Sequence, residues 1–371
     1  MEESEIQEIE LGDNNTSLSK EKKTKKTKEV KDTVDMDRMA KLKAIQADVE
    51  KRFGKGVVMP VDGDSIGNVN FISTGLIGLD EALGGGYPEG RIIEIFGPES
   101  SGKTTLALEA IARVQAKGGF ALFVDYENAI DLNYARDLGV QLDSDKFILS
   151  QPETAEQGLE VIESYIESGI TNIVVIDSAS AMVPRAELEG DFGDSHMGLQ
   201  ARLMSQALRK LVGLIKKTNT VVIFLEQLRS KIGVVFGNPE VAAGGGNSLK
   251  FYSSQRIDIR KTETEKENGK DSDAIANLIR VKVVKNKVAP PFRNAELKII
   301  FGKGLDEVND LVNQAVKYNV LQKSGSWFSF GEDRWQGNSS VEKVLSEDKE
   351  LYDRIYEATK KAIEESKKSK S

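Results

Sequence analysis

Apolar residues recur along this chain with two periods, and the changes of period mark out its elements. Between Met36 and Phe53, the residues Met39, Leu42, Ile45 and Val49 fall at the spacing of one helical face, and Gly54 can end the helix. Gly56 to Met59 reads as a short extended piece. A helix and strand ahead of the main body suit a lid or an arm that docks on a neighbouring subunit, and the pattern does not choose between them. From about residue 67 to 302, near-continuous apolar runs alternate with helical periodicity. The runs are Arg91 to Phe96, Phe120 to Asp125, Asn172 to Asp177 and Val221 to Leu225, as expected of parallel strands buried on both faces. Helical stretches fall near 103–117, 155–167 and 199–217. This alternation predicts an α/β fold, an open and mainly parallel sheet with helices on both faces. Gln255 to Lys261, Ala276 to Lys285 and Ala295 to Phe301 read as later, more antiparallel edge strands.

After about residue 303 the pattern changes. Asp306 to Tyr318 and Val341 to Lys361 look helical, and a glycine- and aromatic-rich link with Trp327, Phe328, Phe330 and Trp335 joins them. Residues 303–371 therefore read as a small α/β C-terminal domain, frayed from Glu364 onward. At the other end, residues 1–35 carry the block KEKKTKKTKEVK and too little apolar surface to offset ordering entropy. They read as a disordered charged tail, a solvating extension rather than a dedicated DNA-binding arm.

Composition narrows the chemistry. Net charge is −8, so contact with nucleic acid has to come from local basic residues and backbone amides. The chain of 371 residues has no cysteine, which excludes disulfides, thiolate metal sites and a catalytic thiol. His196 is the one histidine, so a Ser-His-Asp triad or a histidine-rich metal site is not expected. No apolar run is long enough to span a membrane, and the N-terminal residues lack the pattern of a secretory signal. The expectation is a cytoplasmic protein with no membrane partner.

The strongest local signal is Gly97-Pro98-Glu99-Ser100-Ser101-Gly102-Lys103-Thr104, which matches G-x-x-x-x-G-K-[ST] between a predicted strand and a predicted helix. Glycines let successive backbone N–H groups turn towards phosphates, and the helix N-terminus adds positive potential. Gly97 to Thr105 are the candidate nucleotide cradle, with Lys103 for the β- and γ-phosphates and the Thr104 hydroxyl for Mg²⁺. Asp177 ends the run NIVVID, where a carboxylate can hold Mg²⁺ directly or through water. The intervening strand ends in Asp125-Tyr126-Glu127, which puts Glu127 where it can orient the attacking water. The segment Asn286-Lys287-Val288-Ala289 lacks the aspartate that reads guanine, so ATP is favoured over GTP.

Two glycine-rich loops follow, 189–198 and 233–247. Each carries apolar side chains that could enter a base stack: Met197 in the first, Ile232 and Phe236 at the second. Gly245, Gly246 and Asn247 could bring backbone amides close to phosphates. Arg202 and Arg209, seven apart, share one helix face. On residue pattern alone the glycines also fit a plain linker, and the arginines also fit surface ion pairs. Backbone contact of this kind implies weak base specificity.

Taken together, GPESSGKTTL at Gly97, VVIDSASAMVP from Val174, EGDFGDSHMGLQARLMSQALRK from Glu189, KIGVVFGNPE from Lys231 and VKVVKNKVAPPF from Val281 resemble the bacterial RecA recombinases, in the same order and spacing, from about residue 38 to beyond 330. The resemblance implies a RecA-like core and an ATPase, with ATP and Mg²⁺ as ligands, that coats single-stranded DNA as a filament and pairs it with a homologous duplex. It makes the two loops and their helix the DNA site. It implies that Asp131 and Tyr134 meet adenine and that Gln227 senses the γ-phosphate. Lys285 and Lys287, which by pattern alone belong to a solvated basic edge strand, would reach the adjacent subunit's ATP, with Phe251 at the same interface. A LexA-type repressor is a further implied partner. The alternative on the same core is a ring motor such as a DnaB-like helicase. Departures from the family pattern are Asn128 where histidine is common, Glu226 where asparagine is common, a third glycine at Gly246 and a C-terminus without a long acidic tail. Glu226 is expected near the γ-phosphate.

Overall fold

The structure, a computed structural model, describes residues 36–54, 57–58, 69–191, 198–230, 240–242, 246–267 and 272–369. It divides at Asn68 and Val69 into two units. In the first, helix α1 spans 36–53. Its i,i+4 pairs Asp37–Lys41 and Asp48–Arg52 support it, and Met39, Leu42 and Ile45 are exposed. Gly54 stops it with φ +91° and donates to the Glu50 carbonyl. The charged tail 1–35 lies outside the described residues, as do Gly56 and Met59 of the expected extended piece.

The second unit opens with the small pair β1 (Phe71–Ile72) and β2 (Tyr87–Pro88), with helix α2 (Ile77–Leu83) between them. Then come β3 (Ile92–Gly97), α3 (Lys103–Ala116), β4 (Phe120–Asp125), α4 (Leu132–Asp137), β5 (Phe147–Ser150), α5 (Ala155–Glu167) and β6 (Thr171–Asp177). They are followed by α6 (Arg185–Leu188), α7 (Leu199–Thr218), β7 (Val221–Ser230), β8 (Glu240–Ala242), α8 (Gly246–Tyr252), β9 (Gln255–Lys266), β10 (Ala274–Asn286), β11 (Asn294–Ile300) and β12 (Gly304–Leu305). The main sheet runs β12-β11-β10-β9-β3-β7-β6-β4-β5, with β8 paired to β7. From β9 to β5 neighbours are parallel, and from β9 to β12 they are antiparallel. This is the mainly parallel sheet with an antiparallel edge that the apolar runs predict.

Alternation along the strands separates two cores. Ile93 and Ile95 of β3 pack with Leu106, Leu108 and Ile111 of α3, while Ile92 packs on the other face with Ile162 of α5 and Leu208 of α7. Each such buried side chain contributes about 1.5–3 kcal/mol.

Beyond β12 lie α9 (Glu307–Lys317), a three-stranded antiparallel sheet of β13 (Gln322–Ser324), β14 (Trp327–Phe330) and β15 (Asp333–Gln336), and helices α10 (Asn338–Glu347) and α11 (Lys349–Lys368). They share a third apolar cluster that includes Leu311, Phe328, Leu345 and Ile355, joined by Ile77 of α2. One expectation changes here. The single helix expected over 341–361 is two helices, broken at Asp348, whose carboxylate caps α11 by accepting from the Leu351 N–H. The stretch from Glu364, expected to fray, continues α11 as far as Lys368, with its side chains mostly exposed.

Candidate functional site

The parallel strands end together, and their carboxyl ends carry the chemistry. β3 stops at Gly97, and a Cβ there would lie 2.2 Å from the Ile259 carbonyl oxygen, so the loop can leave the sheet at this point only from a glycine. Gly102 (φ +95°) turns the loop into α3, and Ser100 also adopts positive φ (+54°). The Lys103 ammonium lies in the turn, donating to the carbonyls of Gly97 (3.2 Å) and Pro98 (2.7 Å). Burial lowers its pKa against the opposing pull of Asp177, Glu127 and Glu99. The Ser101 hydroxyl is buried with no hydrogen-bond partner among the described residues. A free buried donor, a cationic side chain and a helix N-terminus converge here, and that donor set fits a polyphosphate.

Across from the loop, the Thr104 hydroxyl donates to Asp177 Oδ2 at 2.8 Å. Burial pushes the Asp177 carboxyl up to about 6, reinforced by Glu127 and Asp125 and opposed by Thr104 and Lys103. A hydroxyl and a carboxylate placed together are oxygen donors suited to Mg²⁺. Glu127 is held by two donors on the same oxygen: the Ser178 hydroxyl at 2.6 Å and Gln227 Nε2 at 2.9 Å. The turn that carries it is built by buried Asp125, which accepts from the N–H groups of Glu127, Ala129 and Ile130. Asn128, in this turn, adopts φ +52°, a conformation asparagine tolerates. Lys103, Thr104, Asp177, Glu127 and Gln227 thus occupy one place. Glu226 does not join them. It is 1% exposed in β7 opposite Phe96, and strand alternation turns it to the other face from Gln227. The expectation that it lies near the γ-phosphate is corrected on that ground.

An open pocket of about 300 Å³ continues from Ser100 to Thr105 towards Tyr134. The Tyr134 hydroxyl is 3.0 Å from Thr105 Oγ1. Asp131 caps α4, its Oδ1 accepting from the N–H groups of Asn133 and Tyr134. The far wall consists of Asn277, Ile279, Ile299 and Phe301, from β10, β11 and the turn after it. Sequence reading missed these four. They lie more than 170 residues beyond the loop and carry no motif, and the pattern shows only an ordinary alternating strand.

Lys285 and Lys287 are elsewhere. Lys285 is eight residues past Asn277 along β10, roughly 27 Å at about 3.4 Å per residue. Its ammonium donates to the carbonyls of Lys250 and Phe251 at the end of α8, and Lys287 donates to the Phe251 carbonyl at 3.1 Å. Phe251 itself is 73% exposed. These three form a group of their own, remote from the pocket in the same chain.

Arg202 and Arg209 lie exposed on one face of α7, and neither has an ion-pair partner among the described residues. β7 and β8 form an antiparallel hairpin, in which Arg229 pairs with Val241. The second loop, expected over 233–247, is therefore interrupted by β8, and Gly246 and Asn247 already belong to α8. Its span is corrected to that extent. Met197, Ile232, Phe236 and Gly245 lie outside the described residues, as does His196.

The comparisons with known proteins agree with this geometry. The RecA N-terminal domain family matches residues 40–306, and the RecA C-terminal domain family matches 309–364. Protein RecA of Treponema denticola is 54% identical over 323 residues, 86% of this chain and 77% of that protein. Protein RecA of Macrococcus caseolyticus is 51% identical over 329 residues, covering 88% and 92%, and that of Latilactobacillus sakei is 52% identical over 321, covering 86% and 89%. A crystal structure of the RadB recombinase covers 63% of this chain at 24% identity with a TM-score of 0.48, a likeness too distant to carry weight. A P-loop facing two strand-end carboxylates, two matching domain families and about half of all positions shared over most of the length leave one assignment: the chain belongs to the RecA family.

Proposed function

We propose that the residues gathered at the carboxyl edge carry out the family's reaction in this chain. The protein is a DNA-dependent ATPase and a recombinase, and it acts in homologous pairing and repair. Lys103 and the loop amides bind the β- and γ-phosphates. Thr104 and Asp177 hold Mg²⁺, which when bound offsets charge on the phosphate oxygens. Glu127 orients and polarises the attacking water, and its second carboxylate oxygen is left for that task while Ser178 and Gln227 occupy the first. Gln227 leads through β7 towards the second DNA loop, so the state of the nucleotide and the state of that loop meet at one side chain. Tyr134, Asp131, Asn277 and Phe301 surround the base and ribose.

Lys285 and Lys287 serve the neighbouring subunit's nucleotide, with Phe251 beside them. Two ammonium groups supplied in trans neutralise charge on the transferred phosphoryl group, so nucleotide at the interface promotes filament assembly and hydrolysis loosens it. Arg202, Arg209, Gly246 and Asn247, with Met197, Ile232, Phe236 and Gly245, contact single- and double-stranded DNA through its backbone and stacking. The setting is the cytoplasm, and a LexA-type repressor is a further partner of the filament. Among the described residues no helix is long and apolar enough to cross a membrane.

One observation carries this reading: Lys103 and Thr104 stand against Asp177 and Glu127 across the end of the same sheet. ATP hydrolysis measured with and without poly-dT at low salt tests it. Strong stimulation is expected, and unstimulated hydrolysis would refute it. Matched relatives that are RecA proteins along most of their length do not favour the ring-motor alternative, and electron microscopy distinguishes the two as helical filaments against closed hexamers.

A further inference from the structure

A row of charged residues crosses the sheet and ends at Lys285. Glu94 on β3 is in register with Arg256 on β9, and Arg256 with Lys285 on β10. Glu94 and Arg256 share one face by register, and a register shift between Val283 and Lys285 lets the Lys285 ammonium reach α8 on that same face. It is the face on which Ile92 and Phe224 are buried with Leu208 of α7 and Leu249 of α8. Glu94 is 1% exposed, and its two oxygens accept from Arg256 Nε (2.6 Å) and Nη2 (2.7 Å). The guanidinium also lies over the Phe96 ring, 4.8 Å from its centroid.

A buried ion pair in such surroundings returns little net stability, because desolvation offsets the Coulomb attraction. Apolar side chains of similar volume would hold the strands as well. The pair calls for a second role, and the next residue in the row supplies one. The Lys285 ammonium rests on the last carbonyls of α8, the negative end of that helix. The charged groups bearing on it are Arg256 from β9, Lys287 just past β10 and Glu94 from β3, while α8 contributes carbonyl oxygens. Arg256 repels the ammonium away from the sheet and towards α8. Glu94 balances the Arg256 charge.

Resting on the reading that Lys285 acts on the neighbouring subunit's nucleotide, we propose that Glu94 and Arg256 are its positioning residues. The buried pair fixes the Lys285 ammonium at the end of α8 beside the exposed Phe251. Burial, Lys287 and Arg256 lower the Lys285 pKa, and Glu94 opposes them. Behind burial and Lys287, the pair thus adjusts the pH range over which the lysine stays charged.

The experiment uses the full chain on single-stranded DNA. The variants are Lys285→Ala, Glu94→Gln, Arg256→Met and the double variant Glu94→Leu with Arg256→Met. The single variants at Glu94 and Arg256 each strand a buried charge and can fail to fold, whereas the double variant strands none. The double variant is expected to melt with the parent, to bind a fluorescent ATP analogue within about twofold and to form filaments, yet to lose roughly tenfold in DNA-stimulated kcat with KM moved by less than about twofold. In folded single variants, Glu94→Gln moves the alkaline limb of the rate–pH profile to lower pH and Arg256→Met moves it to higher pH. A double variant turning over within about twofold of the parent, beside a Lys285→Ala variant slowed roughly tenfold, overturns the proposal alone. So does a fall in kcat with the limb unmoved in both single variants, since that is what merely structural damage gives. Parental rates in Lys285→Ala overturn the trans reading and this proposal with it.

Discussion

The carboxyl edge of the sheet and the far end of β10 hold their functional groups in opposite ways. At the carboxyl edge each group is already paired within the chain: Thr104 with Asp177, Glu127 with Ser178 and Gln227, Lys103 with its own loop carbonyls. At the far end of β10, Lys285 and Lys287 rest on helix carbonyls, and among the described residues neither has a carboxylate within ion-pair distance. The first arrangement is a site a single chain can complete. On the proposed reading the second is half of one, an exposed aromatic ring and two cations that meet a surface of another molecule. On the proposed reading, the lysines that assist the neighbouring subunit's turnover lie some 27 Å along β10 from the pocket wall at Asn277, at about 3.4 Å per residue, so their loss and the loss of nucleotide binding are expected to be separable.

Substitutions at the two regions test that separation directly. Lys103→Ala is expected to have the largest effect, abolishing nucleotide binding in a fluorescence titration and lowering hydrolysis by more than about a hundredfold. Lys285→Ala and Lys287→Ala come next: turnover on DNA falls by roughly tenfold to a thousandfold while nucleotide binding by the isolated subunit is retained. Loss of binding in either variant would erase the contrast between the two regions.

The carboxyl edge also has a pH signature. Burial raises the Asp177 pKa to about 6, above its unfolded value. Its contribution to stability is therefore full below about pH 4 and is lost as pH rises through about 6. In nucleotide-free protein, Asp177→Asn should raise the thermal midpoint relative to the parent by an amount that grows from pH 4 to 6 and then levels, worth at most ~3 kcal/mol. A difference independent of pH over that range contradicts the assignment. Asp310, raised to about 6 chiefly by burial, adds a fall in the same window in the parent. The smallest effects belong to the exposed helix: Arg202→Ala and Arg209→Ala should each reduce the slope of log affinity for single-stranded DNA against log salt by about one, leaving basal hydrolysis unchanged.

How much of this was legible in the sequence follows from how local each feature is. Gly97 to Thr104 are consecutive, so their place between β3 and α3 can be read directly. Asp177 and Glu127 are legible because each closes or follows an apolar run that a buried parallel strand requires. Asn277, Ile299 and Phe301 are not, because strand register alone brings them to the pocket. The Glu94–Arg256 pair is hidden for the same reason: in sequence Glu94 is a lone charge in the middle of an apolar strand. β5 escaped notice as a four-residue strand, and Asp348 reads as an ordinary helical acid until its cap geometry is seen. Lys285 and Lys287 read by pattern as a solvated edge, and only the resemblance to a family gave them a partner. The centre of the parallel sheet, β3, β4, β6 and β7, was legible because these strands announce themselves by apolar runs too continuous for a one-sided sheet.

Strand β10 forms part of the wall of the pocket beside the Gly97–Thr104 loop with Asn277 and Ile279, and it carries Lys285 near its other end. It is hydrogen-bonded to β11 from Ala276 to Lys282 and to β9 along its whole length, with a register shift just before Lys285. On the proposed reading, a tilt at the pocket end is expected to reach Lys285 through this pairing, as with a beam on a pivot. News of one occupied pocket can then travel down a string of identical molecules without any loop having to unfold.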